Sequence, residues 1–78
     1  MGRLPKQDKD HVSNRVEHFR SELGLSRADL AEAVGVHYQT IGYIERGEYA
    51  PTLALALHLA SVLQVSVEEL FKVKGRNQ

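Results

Sequence analysis

The fold is decided by the stretch Ser26-Arg27-Ala28-Asp29-Leu30-Ala31-Glu32-Ala33-Val34-Gly35-Val36-His37-Tyr38-Gln39-Thr40-Ile41-Gly42-Tyr43-Ile44-Glu45-Arg46-Gly47. Ser26 reads as a helix N-cap, and Asp29 stands in for the Glu of a capping box. Leu25 and Leu30 fall at the two ends of a hydrophobic staple. The helix so started runs to Val34 and ends at Gly35. A second staple, Val36 with Ile41, brackets His37, a weaker cap than Ser or Thr whose ring nitrogen can still accept an N–H. The helix that follows continues through Ile44 to Arg46 before Gly47. Only about three residues, Gly35-Val36-His37, separate the two helices, so they must cross steeply, as in a helix-turn-helix with glycine in its turn.

Working outward, Val12, Val16, Phe19 and Leu23 recur at the 4, 3, 4 spacing of one helical face. This predicts a first helix capped by Asp10 and stopped by Gly24. After the central pair, Pro51-Thr52 opens a fourth helix that extends to about Leu63. A fifth starts at Ser66, where Ser66 and Glu69 form a capping box and Val65 faces Leu70, and it ends near Phe71 or Lys72. Phe71-Lys72-Val73-Lys74 alternates with period two but is too short to build on. The expected class is all-α, with five short helices in one domain over residues 10–72. Residues 1–9 are expected to form a mobile arm, and residues 73–78 a basic flexible tail.

Composition narrows the function. The 78 residues suit a single domain, and 42% hydrophobic with 26% charged residues is ordinary globular composition. The absence of cysteine excludes a disulfide framework, a thiolate zinc site and a cysteine nucleophile. No apolar run approaches the ~20 residues of a membrane span. The opening Met1-Gly2-Arg3-Leu4-Pro5-Lys6-Gln7 has no apolar signal segment, and Lys6 stands where a myristoylation motif wants Ser or Thr. A cytoplasmic location is expected. His11 and His18 lie too far apart for one metal ion, and no Ser-His-Asp spacing, phosphate loop or carboxylate cluster rises above chance. Neither an enzyme nor a cofactor or metal site is expected.

The third helix carries the functional signal. With Ile41 and Ile44 facing inward, its outer face presents Tyr38, Gln39, Gly42, Tyr43 and Arg46, a contiguous stripe without an acid. Amide, phenol and guanidinium are groups that donate to base edges or phosphates. The overall charge is zero, and its distribution opposes a simple basic footprint. Residues 1–11 carry +1, residues 12–71 carry −4 and residues 72–78 carry +3.

These residues resemble a known family. Ser26 through Val36, followed by Gln39-Thr40-Ile41 and Ile44-Glu45-Arg46-Gly47, look like the phage Cro and repressor type of helix-turn-helix. This is the xenobiotic-response-element family of bacterial transcriptional regulators. The similarity spans roughly residues 12–71, including Pro51-Thr52-Leu53 and Leu63-Gln64-Val65-Ser66-Val67-Glu68-Glu69-Leu70-Phe71. It implies a lambda-repressor-like fold of five helices that binds double-stranded DNA. By position it implies base contacts from Tyr38, Gln39, Gly42 and Tyr43. Phosphate contacts are implied for Arg27, Thr40, Arg46 and the backbone at Gly47, and a buried ion pair for Arg20 with Glu45. Departures are His37 at the usual Ser or Thr cap, Tyr43 at an often basic position, and Glu48 where many members are basic.

Plainer readings stand beside these. Tyr38 and Tyr43 suit a protein interface as well as DNA. Gly42 suits close approach to DNA or tight packing against a neighbouring helix. The fourth helix holds only His58 and Ser61 as polar residues, more apolar surface than one monomer needs. Leu55, Leu59 and Val62, with Phe71 or Val73, are therefore expected to meet a second copy. Such a dimer would place two third helices ~34 Å apart on a palindromic operator. The expected function is a DNA-binding transcriptional regulator, a repressor acting as a homodimer at the nucleoid. Its rival is a protein-interaction module of the same fold, such as an antitoxin or scaffold component. A regulatory protein partner fits either.

Overall fold

Apolar side chains from every helix converge on one core in the computed structural model, which describes residues 11–74. The chain order is β1 (His11–Asn14), α1 (Val16–Glu22), α2 (Arg27–Val34), α3 (Tyr38–Glu45), α4 (Leu53–Leu63), α5 (Val67–Leu70) and β2 (Phe71–Lys74). Val16, Leu30, Ile41, Ile44, Leu59 and Leu70 are fully enclosed. Each large aliphatic side chain so buried is worth about 1.5–3 kcal/mol.

The caps form as local chemistry dictates. Ser26 Oγ accepts from Asp29 N at 2.9 Å while Asp29 Oδ2 accepts from Ser26 N at 2.9 Å. Ser66 and Glu69 repeat the arrangement at α5, at 3.0 and 2.8 Å. Thr52 Oγ1 caps α4 through Leu55 N, and His37 Nδ1 caps α3 through Gln39 N at 3.1 Å each. Gly35, at φ 80°, turns the chain out of α2 in the left-handed conformation that side-chain-bearing residues avoid.

Two expectations are corrected at the chain's ends. The first helix does not begin near residue 10. Asp10, its expected cap, lies outside the described residues, and His11–Asn14 form a strand antiparallel to Phe71–Lys74. The fold is therefore helical with a small two-stranded sheet, and all-α is only approximate. Val12 satisfies the helical spacing by coincidence: it pairs with Val73 across the sheet. Helix formation is delayed to Val16 because Asn14 Oδ1 takes the Val16 N–H at 3.0 Å and Arg15 N bonds Leu70 O at 2.9 Å. Leu23, expected on the buried face, is the C-cap of α1 and exposed.

At the other end α5 stops at Leu70, where Phe71 turns to φ −128° and ψ 136°. The alternation in Phe71-Lys72-Val73-Lys74 is a real strand, so residues 73 and 74 belong to the fold instead of a flexible tail. The remainder of that basic segment and the arm over residues 1–9 lie outside the described residues.

Gln64 closes α4 at φ 64°, the one non-glycine residue with positive φ among those described. An L side chain pays a steric penalty there that glycine escapes. Gln64→Gly is expected to raise stability by about 0.5–1 kcal/mol, read as a higher urea midpoint at unchanged m. A lowered midpoint would contradict this assignment.

Candidate nucleic-acid interface

Ile41 and Ile44 anchor α3 in the core, which turns its other side to solvent. Tyr38 is 53% and Tyr43 44% exposed, and Gln39 is exposed beside them. Arg27, from the first turn of α2, joins Tyr38, Gln39, Gly42, Tyr43 and Arg46 around one shallow groove on this face. The His37 ring stacks on Tyr38 with centroids 4.9 Å apart. The structure thus brings the four residues implied for base contact together with Arg27 and Arg46. Thr40 is half-buried and faces a second groove with Val36, Tyr43, Tyr49 and Leu55. Gly47 follows α3 and is exposed.

Gly42 differs from its expected surroundings. It is buried, and what lies nearest its open side is the Arg46 side chain of its own helix. The three atoms nearest a Cβ placed there all belong to the Arg46 guanidinium, with Nη1 at 3.1 Å. Arg46 itself lies over the Tyr43 ring, 5.3 Å from its centroid, and its Nε is 3.3 Å from Glu48 Oε2.

The acids of this region are turned to structural use. Glu45, the last residue of α3, has a side chain only 1% exposed. Arg20 of α1 donates from Nε to Glu45 Oε2 at 2.6 Å and from Nη2 to Oε1 at 3.3 Å. Its Nη1 donates to Leu25 O at 2.9 Å, in the turn between α1 and α2. Arg27 Nε donates to the same Glu45 Oε1 at 2.8 Å. One carboxylate therefore ties α1, α2 and α3 together. The Arg20–Glu45 pair that the resemblance implies is present, and Arg27, expected only at phosphate, joins it as a second arginine. Sequence reasoning missed Asn14, whose Nδ2 donates to Ile44 O at 2.9 Å and fastens β1 to the end of α3. An Asn two residues before a helix start was the available signal. Tyr49, exposed in the loop after α3, carried no periodic signal at all.

Burial alone would raise the Glu45 pKa, but hydrogen bonds from Arg20 and Arg27, with their charges, outweigh it and hold the carboxyl below its usual range. The hydrogen bond to Glu45, then its charge, raises Arg27 further. Asp29 and Glu69 are also lowered, chiefly by the N–H groups of Ser26 and Ser66 that they accept from. Among the described residues no cluster of three His, Asp or Glu side chains could hold a metal ion. No described helix is long and apolar enough to cross a membrane.

A helix-turn-helix whose second helix presents such a face defines a class of transcriptional regulators. The chain belongs to the helix-turn-helix family, whose model matches residues 17–70. It is 36% identical over 66 residues to the uncharacterized HTH-type transcriptional regulator YgzD of Bacillus subtilis, covering 85% of this chain and 100% of that protein. The restriction-modification controller protein C.AhdI of Aeromonas hydrophila superposes with a TM-score of 0.67 at 33% identity, over 70% of this chain and 83% of that one. The master regulator for biofilm formation SinR, in a crystal structure with DNA, superposes with a TM-score of 0.65 at 34% identity, over 69% and 87%.

Removing the Glu45 carboxylate strands Arg20, itself only 12% exposed. Glu45→Ala is expected to destabilise the fold by about 3–5 kcal/mol, lowering the thermal midpoint by roughly 12 °C or more. A shift of a degree or two would refute the role given to this residue. The pH dependence has a definite sign. Carboxyls with lowered folded pKa values contribute stability that is present above the ordinary carboxyl range and lost as pH falls through the folded values. The urea midpoint should thus hold between about pH 7 and 5 and decline below about pH 4, less steeply in Glu45→Gln. A midpoint that rises on acidification would contradict the pairing.

Proposed function

We propose that this chain is a sequence-specific regulator of transcription, a repressor, that docks α3 in the major groove of double-stranded DNA as a homodimer. One observation carries the reading: the exposed face of α3 offers only donors, amide and aromatic edges, while Glu45 is buried in ion pairs behind it. Gln39 is suited to an adenine edge, with Tyr38, Gly42 and Tyr43 around it. Arg27 keeps its Nη groups for phosphate while Nε is held by Glu45. Thr40 and the backbone at Gly47 would add phosphate contacts from the helix ends. A protein of this kind works in the cytoplasm at the nucleoid.

Dimerisation is proposed through apolar residues of α4 and of β2. Leu55, Val62 and Phe71 are half-buried there, with Val73 exposed. Leu59 leaves the proposed interface because it is 0% exposed, enclosed within the monomer's core. A two-fold pair would set two α3 helices about one DNA turn apart on a palindromic site. It would also double the cations facing a duplex, which offsets the −4 charge of residues 12–71.

The rival, a protein-interaction module using the exposed tyrosines, is separated by one experiment. Fluorescence anisotropy against a randomised duplex pool at two salt concentrations, with sedimentation for mass, should enrich a palindromic site whose affinity falls steeply with salt. Tyr43→Ala should lose that site while folding normally. A folded dimer that retains no duplex even at low salt would transfer the function to protein recognition.

A further inference from the structure

Gly42 and Arg46 are four residues apart on α3, and a helical side chain leans back over the turn N-terminal to its own Cα. Arg46 does this, and its guanidinium comes to rest above Gly42 in the middle of the outward face, with Nη1 3.1 Å from where a Cβ would stand. The Tyr43 ring lies beside it, 5.3 Å from centroid to Cζ, and Glu48 Oε2 lies 3.3 Å from Nε. Nε thereby has an acid beside it at the margin of the face. Among the described residues no hydrogen bond engages Nη1 or Nη2. Gln39, Tyr38 and Arg27 border the same groove.

A phosphate anchor has no need of such a seat, because an arginine at the end of a helix reaches the DNA backbone by pointing outward. Two aligned N–H donors held on the centre of a recognition face match instead the paired O6 and N7 acceptors that guanine presents in the major groove. We propose that Gly42 is a notch that seats the Arg46 guanidinium on the base-facing side of α3, making Arg46 a reader of a guanine edge rather than a phosphate contact. Glu48, unfavourable for DNA as a bare charge, becomes a positioning residue that leaves the Nη end of Arg46 presented. Gly42 then has neither of the roles its sequence position suggests, close approach of backbone to DNA or packing against another helix.

This inference rests on the DNA-binding reading, and the test keeps the two apart. A duplex enriched by the wild-type chain is re-measured by anisotropy with every base at each guanine position, and with 7-deazaguanine to delete N7. One guanine per half-site should be preferred by the wild type on the order of 10–100-fold. Arg46→Ala should erase the preference there and become indifferent to 7-deazaguanine at that position only. Gly42→Ala should reduce the same preference severalfold with an unchanged or raised thermal midpoint, since the atoms nearest the new methyl group belong to a movable side chain.

If Arg46→Ala instead weakens all duplexes alike, lowers the salt slope by about 0.9 for each subunit bound and keeps the guanine preference, Arg46 is a phosphate contact and the inference is overturned. A Gly42→Ala protein with full guanine preference would overturn the notch. Failure of the wild-type chain to enrich any duplex would overturn the inference together with the reading beneath it.

Discussion

The Glu45 carboxylate is the constraint on which the arrangement of helices depends. It sits at the last turn of α3, nearly without solvent, and receives Arg20 from α1 and Arg27 from α2. Desolvating a carboxylate is unfavourable by several kcal/mol in order of magnitude, so it persists only when well paired. Here the pairing has direction. The Arg20 fork meets both carboxylate oxygens and reaches the Leu25 carbonyl as well, so the turn between α1 and α2 is fixed with the same group. Asn14 completes the attachment by holding the Ile44 carbonyl one residue before Glu45. The hydrophobic core accounts for the compactness of the helices, but the polar group sets how α3 is presented.

The same network answers an electrostatic difficulty. Residues 12–71 carry −4, a poor balance for approaching a polyanion. Counting charges misses where they point. Glu45 is enclosed by two arginines, Asp29 and Glu69 are spent on capping boxes, and Glu48 lies against Arg46. What remains on the outward side of α3 is a surface of donors and rings. Acids here position cations, and a net charge summed over the chain says little about the field at one face.

Much of this was legible in the sequence because it is local. Capping boxes at Ser26 and Ser66, the cap at Thr52 and the glycine that ends α2 are fixed by residues within four positions of one another. The Arg20–Glu45 pairing, by contrast, came from resemblance, since nothing local links residues so distant. What escaped was equally non-local. A strand of four residues cannot be told from a helical turn until its partner is known, and the partner of Val12 lies at Val73. Arg27 looked free because its acceptor is on another helix. Leu59 looked like surface because α4 is apolar on nearly every side, and only packing reveals which flank the core takes. Gly42 suggests close approach to DNA or packing against a neighbouring helix, and only the structure places Arg46 over it.

In the proposed complex α3 is the surface that meets DNA. The most direct measurement is a titration of the isotopically labelled chain with its enriched duplex, followed by amide and arginine side-chain NMR shifts. Tyr38, Gln39, Tyr43 and the Arg27 and Arg46 side chains should move together and saturate at one stoichiometry, while the core residues around Leu59 stay still. Shifts confined to α4 and the two-stranded sheet, with the face of α3 unmoved, would contradict the account.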